Sequence, residues 1–315
     1  MKREKLDIKE IFLKDERYRT SYSFSLEKLK LSLQETGLLH PPLIALRNGR
    51  FIPVSGWKRI LACAELSFSP IPVLITEEMD NLKTFLMAFY ENLATREFSL
   101  LEKAEILARL KRFGEDEKRI IRHYMPLLDI PATLSYLDTY LAFSQFEPEV
   151  KKAIHEKNMS FLSVKPLVGF SCRERERLLP LLLPLGQNKR KELLEDILEV
   201  SRKNDTPVQK ILLSPEIQTI QDSGTLTPLQ KADSTRLLLS KKRYPAYSSR
   251  QDSFESLLRE IDWPDEIAIS PSPFFEEEDF TVRFTFNSEE QLKAGLLKLE
   301  ELSARRDFSK IFKLK

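Results

Sequence analysis

The feature that most constrains the fold of this chain is residues 48–66, which read as a strand, a glycine turn and a helix. Residues 51–54 are short, apolar and partly β-branched, as in a strand, and the turn follows at Gly56. From Trp57 the apolar residues recur at helical spacing, which predicts a helix that begins directly after the turn. Such a helix start presents unbonded N–H groups and the positive end of the helix dipole at one point, where an anion can bind.

Two cations lie in the first turn of that helix. Lys58 and Arg59 oppose the dipole at this end, so we expect a negative partner to compensate them, and a phosphate group would serve. The alternative is an ordinary loop with a solvated lysine and arginine. A second polar stretch, Glu91–Arg96, favours the functional interpretation because an acid, an amide and a base follow an apolar helix there.

Length and composition narrow the class of protein. A chain of 315 residues is too long for one ordinary core, and its 42% apolar and 31% charged residues are typical of soluble domains. We expect a cytoplasmic protein without membrane contact, because no apolar run approaches the ~20 residues of a membrane span and the N-terminus does not resemble a signal peptide. The two cysteines and three histidines show no metal-binding spacing. The net charge of +2 permits only local basic patches.

The pattern along the chain predicts an α+β protein. In its first part we expect a strand at Leu6–Leu13 and an antiparallel hairpin of Leu43–Leu46 with Phe51–Val54, joined by Asn48 and Gly49. Near residue 245 we expect a basic, aromatic loop, Lys241–Arg250. The predicted parts are a small α+β domain at 1–112, a helical domain with a helix-turn-helix at 113–186, a further helical region at 187–262 and a β-β-α unit at 263–315.

Four segments carry a resemblance, and they occur in a fixed order over residues 5–160. They are Leu29–Ile44 (LKLSLQETGLLHPPLI), Gly56–Ala62 (GWKRILA), Glu91–Ala104 (ENLATREFSLLEKA) and Phe146–Ser160 (FEPEVKKAIHEKNMS). In this order and spacing they resemble the motifs of ParB-like partition proteins in the ParB/sulfiredoxin superfamily, such as G-E-R-R-x-R-A for the second segment and E-N-L-x-R for the third.

The resemblance implies a ParB/sulfiredoxin-like N-terminal domain that binds CTP, or another nucleoside triphosphate, with Mg²⁺. In this family the nucleotide closes a dimeric clamp around DNA. The resemblance therefore implies a homodimer, a role in chromosome or plasmid partition and a partition ATPase as partner. The nucleotide-binding residues that it implies are Gly37, Leu38, His40, Gly56, Lys58, Arg59, Thr95 and Arg96. Glu91 and Asn92 would bind Mg²⁺, which takes oxygen ligands.

The chain departs from the family pattern at several positions. Trp57 replaces the family's Glu, Lys58 replaces its first Arg and Leu61 replaces its third Arg. Thr95 stands where E-N-L-x-R has its Arg, and Arg96 follows one residue late. We expect nucleotide binding to survive these changes better than hydrolysis, which leaves CTP or NTP hydrolase activity open.

Thiol chemistry of the sulfiredoxin kind is disfavoured. Trp57 stands where sulfiredoxins have their reactive cysteine, and Cys63 lies in a run that we interpret as core-facing.

The expected DNA-recognition helix lies within Pro131–Gln145, which contains no Lys or Arg. Base contacts would come from Thr133, Ser135 and Thr139. Phosphate contacts would come from flanking residues, Arg122, Lys151 and Lys152 among them. The alternative is a helix pair kept only for packing.

Three functional hypotheses remain open from the sequence. The first is a ParB-like, nucleotide-switched DNA-binding protein. The second is a nucleotide-dependent small enzyme, such as a kinase or nuclease, on the same fold. The third is a degenerate interaction scaffold that binds neither ligand.

Overall fold

The computed structural model describes residues 1–22, 25–76, 80–272, 275, 279–305 and 308–313. Within them helices and strands form an α+β protein, which confirms the predicted fold class. The chain divides into two compact units, 1–191 and 192–315. Of the helices described, none combines the length and apolar character that a membrane span requires.

The first unit begins with a four-stranded sheet and four helices. In chain order these are β1 (Lys2–Leu6), α1 (Glu27–Thr36), β2 (Leu43–Arg47), β3 (Arg50–Ser55), α2 (Trp57–Glu65), β4 (Ile71–Thr76), α3 (Asn81–Leu93) and α4 (Leu100–Arg112). The strand order is β1-β4-β2-β3. Strand β2 runs parallel to β4 and antiparallel to β3. Strand β3 ends at Ser55, and α2 begins at Trp57, directly after Gly56.

The predicted hairpin is confirmed. Leu46 pairs with Phe51 and Arg47 with Arg50 across β2 and β3. Asn48 and Gly49 at its tip have φ values of 49° and 72°. Two adjacent positive φ values are what a tight two-residue hairpin turn requires, so this turn chemistry sets the register locally.

The predicted strand at Leu6–Leu13 is wrong. The strand is β1, which ends at Leu6, and a 3-10 helix follows at Ile8–Glu10. Asp7 causes the change because its carboxylate accepts a hydrogen bond from the Lys9 N–H at 2.9 Å, while its own N–H donates to the Glu10 carboxylate at 3.0 Å. These local bonds stabilise a helical turn where a strand would need extended backbone.

Helix α2 packs against the sheet through its apolar face. Ile60 is fully buried in one core cluster with Ile44 of β2 and Val73 of β4. Cys63 belongs to the same cluster, and its burial raises the pKa of the thiol, which disfavours the reactive thiolate. This packing fixes the direction of α2, and therefore the position of its N-terminus.

The rest of the first unit is helical. Its elements are α5 (Glu117–Arg119), a π-helical turn (Ile120–Tyr124), α6 (Met125–Leu127), α7 (Leu134–Ser144), α8 (Pro148–Glu156), α9 (Phe161–Val164), a 3-10 helix (Lys165–Gly169), α10 (Cys172–Leu182) and α11 (Gln187–Lys203), which contains the division between the units. Helix α7 occupies the position predicted for the recognition helix, and Thr133 is its N-cap.

The second unit contains four further helices and a small strand and helix region. They are α12 (Val208–Leu212), α13 (Pro215–Asp222), α14 (Pro228–Arg243), α15 (Pro245–Glu260), β5 (Ile267–Pro271), β6 (Phe280–Phe284), α16 (Glu289–Ala304) and a 3-10 helix (Phe308–Lys313). Strands β5 and β6 are antiparallel. Phe254 and Leu257 of α15 and Ile261 directly after it share a core with Ile311, so α15 packs with the C-terminal region.

The predicted basic loop at Lys241–Arg250 is wrong. Helix α14 extends to Arg243, and α15 begins at Pro245. Proline suits the first position of a helix, because an N–H there would have no intrahelical acceptor. Only Tyr244 therefore separates α14 from α15.

Candidate functional site

A glycine that no other residue can replace without strain stands before α2. Gly56 has φ +83°, and a Cβ added to it would lie 2.8 Å from the Pro42 Cβ and 3.0 Å from Nη2 of Arg59. No side chain caps the helix, and its first turn carries no acidic residue. The first N–H groups of α2 therefore have no intrahelical acceptor and no side-chain cap, which leaves them for a ligand.

A cavity of about 510 Å³ opens at this helix start. This volume is within the range of small-molecule sites. Eight of the ten residues predicted for nucleotide and metal binding line it: His40, Gly56, Lys58, Arg59, Glu91, Asn92, Thr95 and Arg96. The cavity thus brings together the two sequence segments, near Gly56 and near Glu91, that the prediction had connected.

Arg59 is held at the cavity wall from two sides. Its Nη1 donates to the His40 carbonyl at 2.6 Å, and its Nη2 lies 3.1 Å from the Glu91 carboxylate. Its side chain is 22% exposed. A guanidinium fixed in this way is preorganised to bind a phosphate, because less side-chain freedom has to be lost on binding.

Arg96 is held by a second set of contacts. Its Nε donates to the Asn92 Oδ1 at 3.1 Å and its Nη1 to the Glu102 Oε2 at 2.8 Å, while the guanidinium stacks over Phe98 at 4.7 Å. The one-residue displacement from the family's arginine position therefore still brings a guanidinium to the cavity. Its Nη2 is buried and has no acceptor among the described residues.

The Glu102 carboxylate is the charged partner of Arg96. Burial alone would raise the pKa of its carboxyl, yet hydrogen bonds from Arg96 and from the Ser99 N–H hold the pKa below its ordinary value. The Tyr22 N–H also donates to it, at 3.1 Å. Glu102 is therefore ionised at neutral pH and fixes Arg96 in one orientation.

Lys58 adds a third cation to the lining. Its pKa is lowered, first by burial and then by repulsion from Arg96, although Glu102 opposes the shift. Lys58, Arg59 and Arg96 stand against two carboxylates, Glu91 in the lining and Glu102 behind Arg96, so the formal charge is +1. A site with this excess of partly desolvated positive charge favours an anion.

Trp57 forms a wall of the cavity and leaves it open. Its side chain is 5% exposed and lies under the Arg19 guanidinium, 5.6 Å from ring centroid to carbon. The buried indole N–H has no acceptor within the described part of the chain.

Glu91 and Asn92, the predicted Mg²⁺ ligands, are both bound by arginines in this arrangement. Glu91 Oε1 pairs with Arg59, Asn92 Oδ1 accepts from Arg96, and Asn92 Nδ2 donates to the Ala88 carbonyl at 2.8 Å. The described residues contain no group of three or more His, Cys, Asp or Glu suited to a metal ion. These side chains as placed do not fit Mg²⁺, since a cation between two guanidinium groups would be repelled.

Two predicted residues lie outside the cavity lining. Gly37 ends α1, with φ +69° and an N–H that donates to the Leu33 carbonyl at 2.9 Å, and Leu38 packs against the core cluster. His40 does line the cavity, and its carbonyl is already bonded to Arg59. The Thr95 hydroxyl donates to the Glu91 carbonyl at 3.1 Å, so it bonds to the last turn of α3 in addition to lining the cavity.

Sequence reasoning missed Thr20 and Ser21, which line the same cavity. The only signal was a run of hydroxyl-bearing residues, Thr20 to Ser23, without apolar periodicity. Such a run is typical of any exposed loop, so it gave no reason to place these residues beside Gly56.

The residues predicted to contact DNA are placed unequally. Thr133 and Ser135 are exposed at the start of α7, whereas Thr139 is half-buried and its hydroxyl donates to the Ser135 carbonyl at 2.8 Å. Arg122 and Lys152 are exposed. Lys151 bonds the Glu105 carboxylate at 2.8 Å and the Ser144 carbonyl at 2.7 Å, so it is occupied inside the helical domain.

Residues 2–93 match the ParB N-terminal domain family. Two curated proteins are also similar to this chain. The probable chromosome-partitioning protein ParB of Borreliella burgdorferi is 25% identical over 171 residues, which is 54% of this chain and 63% of that protein. The probable chromosome-partitioning protein ParB of Helicobacter pylori is 25% identical over 177 residues, 55% of this chain and 57% of that protein. The chain thus spans less than two thirds of the length of the curated relatives it matches.

Two solved structures of a C-terminally truncated chromosome-partitioning protein ParB from Caulobacter crescentus are also similar. One is complexed with CTP-gamma-S; it shares 17% identity and a TM-score of 0.27, covering 57% of this chain and 99% of that one. The other is complexed to the centromeric parS site; it shares 16% identity and a TM-score of 0.35, covering 61% of this chain and 98% of that one. Likenesses this low carry no inference about a ligand of this chain.

Proposed function

Because this chain is a ParB-like protein by its residues 2–93, we propose that it binds a nucleoside triphosphate, CTP, in the cavity at Gly56 and couples this to DNA binding in chromosome or plasmid partition. One observation carries the proposal: three cations, a tight glycine turn and the uncapped N-terminus of α2 converge on one cavity. A triphosphate supplies the negative charge and the acceptor oxygens that these groups need. The base is the one that the family resemblance implies.

The chain's own residues explain how a phosphate would be held. The free N–H groups of the α2 start approach it because Gly56 has no side chain. Arg59 and Arg96 present guanidinium groups that are oriented by His40 and Glu102. Lys58 adds a positive charge that a phosphate would stabilise. Hydrolysis is no part of the proposal, because the described arrangement identifies no base or water-positioning group.

Mg²⁺ stays a prediction from the resemblance. The Glu91 and Asn92 oxygens are bonded to Arg59 and Arg96, so metal binding at these two side chains would require the arginines to turn towards the nucleotide. If the arginines keep their places, removing Mg²⁺ with EDTA will change nucleotide affinity less than about tenfold, which is ~1.4 kcal/mol. A larger loss, which disappears in Glu91→Gln, would show that the carboxylate binds the metal.

Isothermal titration calorimetry tests the nucleotide proposal. The full chain is titrated with CTP, ATP, GTP and UTP, with and without Mg²⁺ and DNA. Arg59→Gln is expected to weaken binding about 30-fold, or ~2 kcal/mol, as for a lost charge-assisted bond. Arg50→Gln, at the opposite end of β3, is the control and should leave nucleotide binding in the absence of DNA unchanged. Absence of binding by every nucleotide in every condition would defeat the proposal and favour the scaffold hypothesis.

DNA binding is proposed through the exposed start of α7. Thr133 and Ser135 lie where recognition helices present base-reading side chains, near the N-terminus of the helix. In a capture screen of genomic fragments, the triple variant Thr133→Ala, Ser135→Ala and Thr139→Ala should lose sequence selectivity. Retained selectivity, or catalytic conversion of the nucleotide without any DNA capture, would support the enzyme hypothesis instead.

A homodimer is proposed through the strand and helix region of the second unit. Several large apolar side chains there are at least 40% exposed: Val282, Phe286, Leu296, Leu297 and Phe312. An exposed apolar face beside a small two-stranded sheet is a suitable surface for a second copy. Leu297→Lys should convert a dimer to a monomer in analytical ultracentrifugation, whereas Leu229→Lys, at a similarly exposed position, should not. An unchanged dimer would exclude this surface. The partition ATPase partner stays a prediction.

A further inference from the structure

Three cavities of the first unit adjoin one another through shared residues. The first, about 480 Å³, is lined by the C-terminal half of α7 and by Arg112 of α4. The second, about 450 Å³, shares Arg112 and adds Asp15 and Arg17. The third, about 520 Å³, shares Asp15 and Arg17 and reaches Arg47 and Arg50 at the tip of the β2–β3 hairpin. Together they form one surface from α7 to the hairpin.

The charge of this surface is not fully neutralised within the protein. Arg17 is paired with Asp15 at 2.7 Å, and Lys111 with Glu117 at 3.1 Å. Neither Arg50 nor Arg112 forms a salt bridge with any carboxylate that the structure describes, and both are exposed. Two guanidinium groups at opposite ends of the surface therefore keep their charge available for a ligand.

Each of three arginines on this surface lies over an aromatic ring. The guanidinium carbon is 4.8 Å from the ring centroid for Arg50 over Phe12, 5.8 Å for Arg47 over Tyr18 and 5.9 Å for Arg112 over Phe113. We call Arg47, Arg50 and Arg112 the arginine track. A guanidinium that stacks by its face keeps its in-plane N–H donors directed away from the ring, which is the edge that binds phosphate in a forked geometry.

Two of the three aromatic rings beneath the arginine track also contact each other. Tyr18 is fully buried, and its ring lies 6.0 Å from that of Phe113. The Tyr18 hydroxyl donates to Asn81 Oδ1 at 2.6 Å, and Arg47 Nη2 donates to the Thr84 hydroxyl at 3.0 Å. Arg47 is therefore positioned by the fold, and little side-chain freedom remains to be lost when a ligand binds.

We propose that the arginine track binds the phosphodiester backbone of duplex DNA beside the stretch contacted by α7. The inference rests on the proposed DNA-binding function and deepens it. Two observations favour DNA over an acidic protein segment. The surface is continuous with the α7 cavity, and α7 itself has no Lys or Arg, although phosphate contacts supply most of the affinity for DNA.

The test is the salt dependence of binding to a short labelled duplex carrying a fragment that the full chain captures. Each phosphate contact contributes about 0.9 to the slope of log affinity against log salt. Arg50→Gln combined with Arg112→Gln should lower that slope by about 2 and weaken binding about tenfold at physiological salt. The control is Arg173→Gln combined with Arg177→Gln, which removes the same charge from exposed positions of α10.

The outcomes separate this inference from the function on which it rests. A reduced slope in the Arg50 and Arg112 double variant, with CTP binding and sequence preference retained, supports the arginine track. If the full chain binds DNA and the slope is unchanged in both double variants, or reduced by the same amount in both, the arginine track is overturned while DNA binding stands. If the full chain binds no DNA at all, both are overturned. If the Arg50 and Arg112 double variant loses binding to polyglutamate while its DNA slope is unchanged, the surface binds an acidic protein, and the arginine track proposal is overturned as well.

Discussion

The two ends of β3 carry the same turn residue and the same kind of cation, yet they are built differently. At the hairpin end, Gly49 has φ +72° and a Cβ would meet nothing within 4 Å. At the α2 end, Gly56 has φ +83° and a Cβ would meet Pro42 and Arg59. The first glycine only satisfies the backbone of a turn, whereas the second also keeps a cavity wall clear.

The arginines at the two ends differ in the same way. Arg59 beside Gly56 is held by a carbonyl and a carboxylate, which fix its position around an enclosed ligand. Arg50 beside Gly49 lies on Phe12 and faces solvent. The difference teaches that hydrogen-bonded guanidinium groups suit one small anion of fixed shape, while stacked ones suit an extended polyanion that passes over a surface.

The largest expected effect comes from replacing each glycine by alanine. Both variants should be about 1–2 kcal/mol less stable, because alanine is strained in a left-handed backbone conformation. Gly56→Ala should in addition lose at least about 100-fold in CTP affinity, ~2.7 kcal/mol, because the methyl group displaces Arg59 or Pro42. Gly49→Ala should bind CTP normally. Calorimetry and thermal melts measure both quantities, and equal losses in the two variants would break the contrast between the ends of β3.

A smaller effect is expected from Glu102→Gln, which removes the charged partner of Arg96. Because the folded-state pKa of Glu102 is lowered, its contribution to stability is present above the ordinary carboxyl pKa of about 4.3 and is lost as the pH falls below it. At pH 7 the variant should be about 1–2 kcal/mol less stable and bind CTP several-fold more weakly.

Between pH 5 and pH 3 the stability of Glu102→Gln should fall less than that of the unmodified chain, as measured by urea unfolding. Glu16→Gln is the control, because Glu16 lines the same small cavity as Glu102 but is far more exposed. This change removes the carboxylate that pairs with Arg19. Because that carboxylate is 53% exposed, the effect on stability should be small at every pH. A pH dependence that Glu102→Gln leaves unchanged would assign the acid sensitivity to other carboxyl groups.

The smallest effect is a fraction of a proton taken up on CTP binding. Burial and Arg96 lower the pKa of Lys58 in the free protein, and a bound phosphate would raise it again. Binding at a pH just below the ordinary lysine pKa of about 10.4 should therefore take up protons, seen as calorimetric heats that depend on the ionisation enthalpy of the buffer. Lys58→Gln should abolish this dependence. DNA binding at the arginine track should show none, because guanidinium groups stay charged throughout this range.

Short-range features of the first unit followed from the sequence. Asn48 and Gly49 predicted the hairpin correctly because the turn is determined by local backbone preferences. The helix after Gly56 was predicted for the same reason, and its first-turn cations indicated an anion. Leu6–Leu13 and Lys241–Arg250 were predicted wrongly, since a capping aspartate and a helix-starting proline each outweighed the broader pattern.

The residue partnerships at the site did not follow from the sequence. Glu91 and Asn92 are predicted metal ligands, and only the fold showed that Arg59 bonds to Glu91 Oε1 and Arg96 to Asn92 Oδ1. Lys151 appeared available for DNA, and only the packing of α8 placed it on Glu105. Thr20 and Ser21 gave no usable signal, because what they line is defined by segments far away in the chain.

By itself, the sequence determined a strand, a glycine turn and a helix whose start carries two cations, since turns and helix starts depend on neighbouring residues. Only the tertiary structure decided which charges remain available at either end of β3. The reason is physical: a side chain's free charge depends on every partner within a few ångströms, and those partners come from distant parts of the chain.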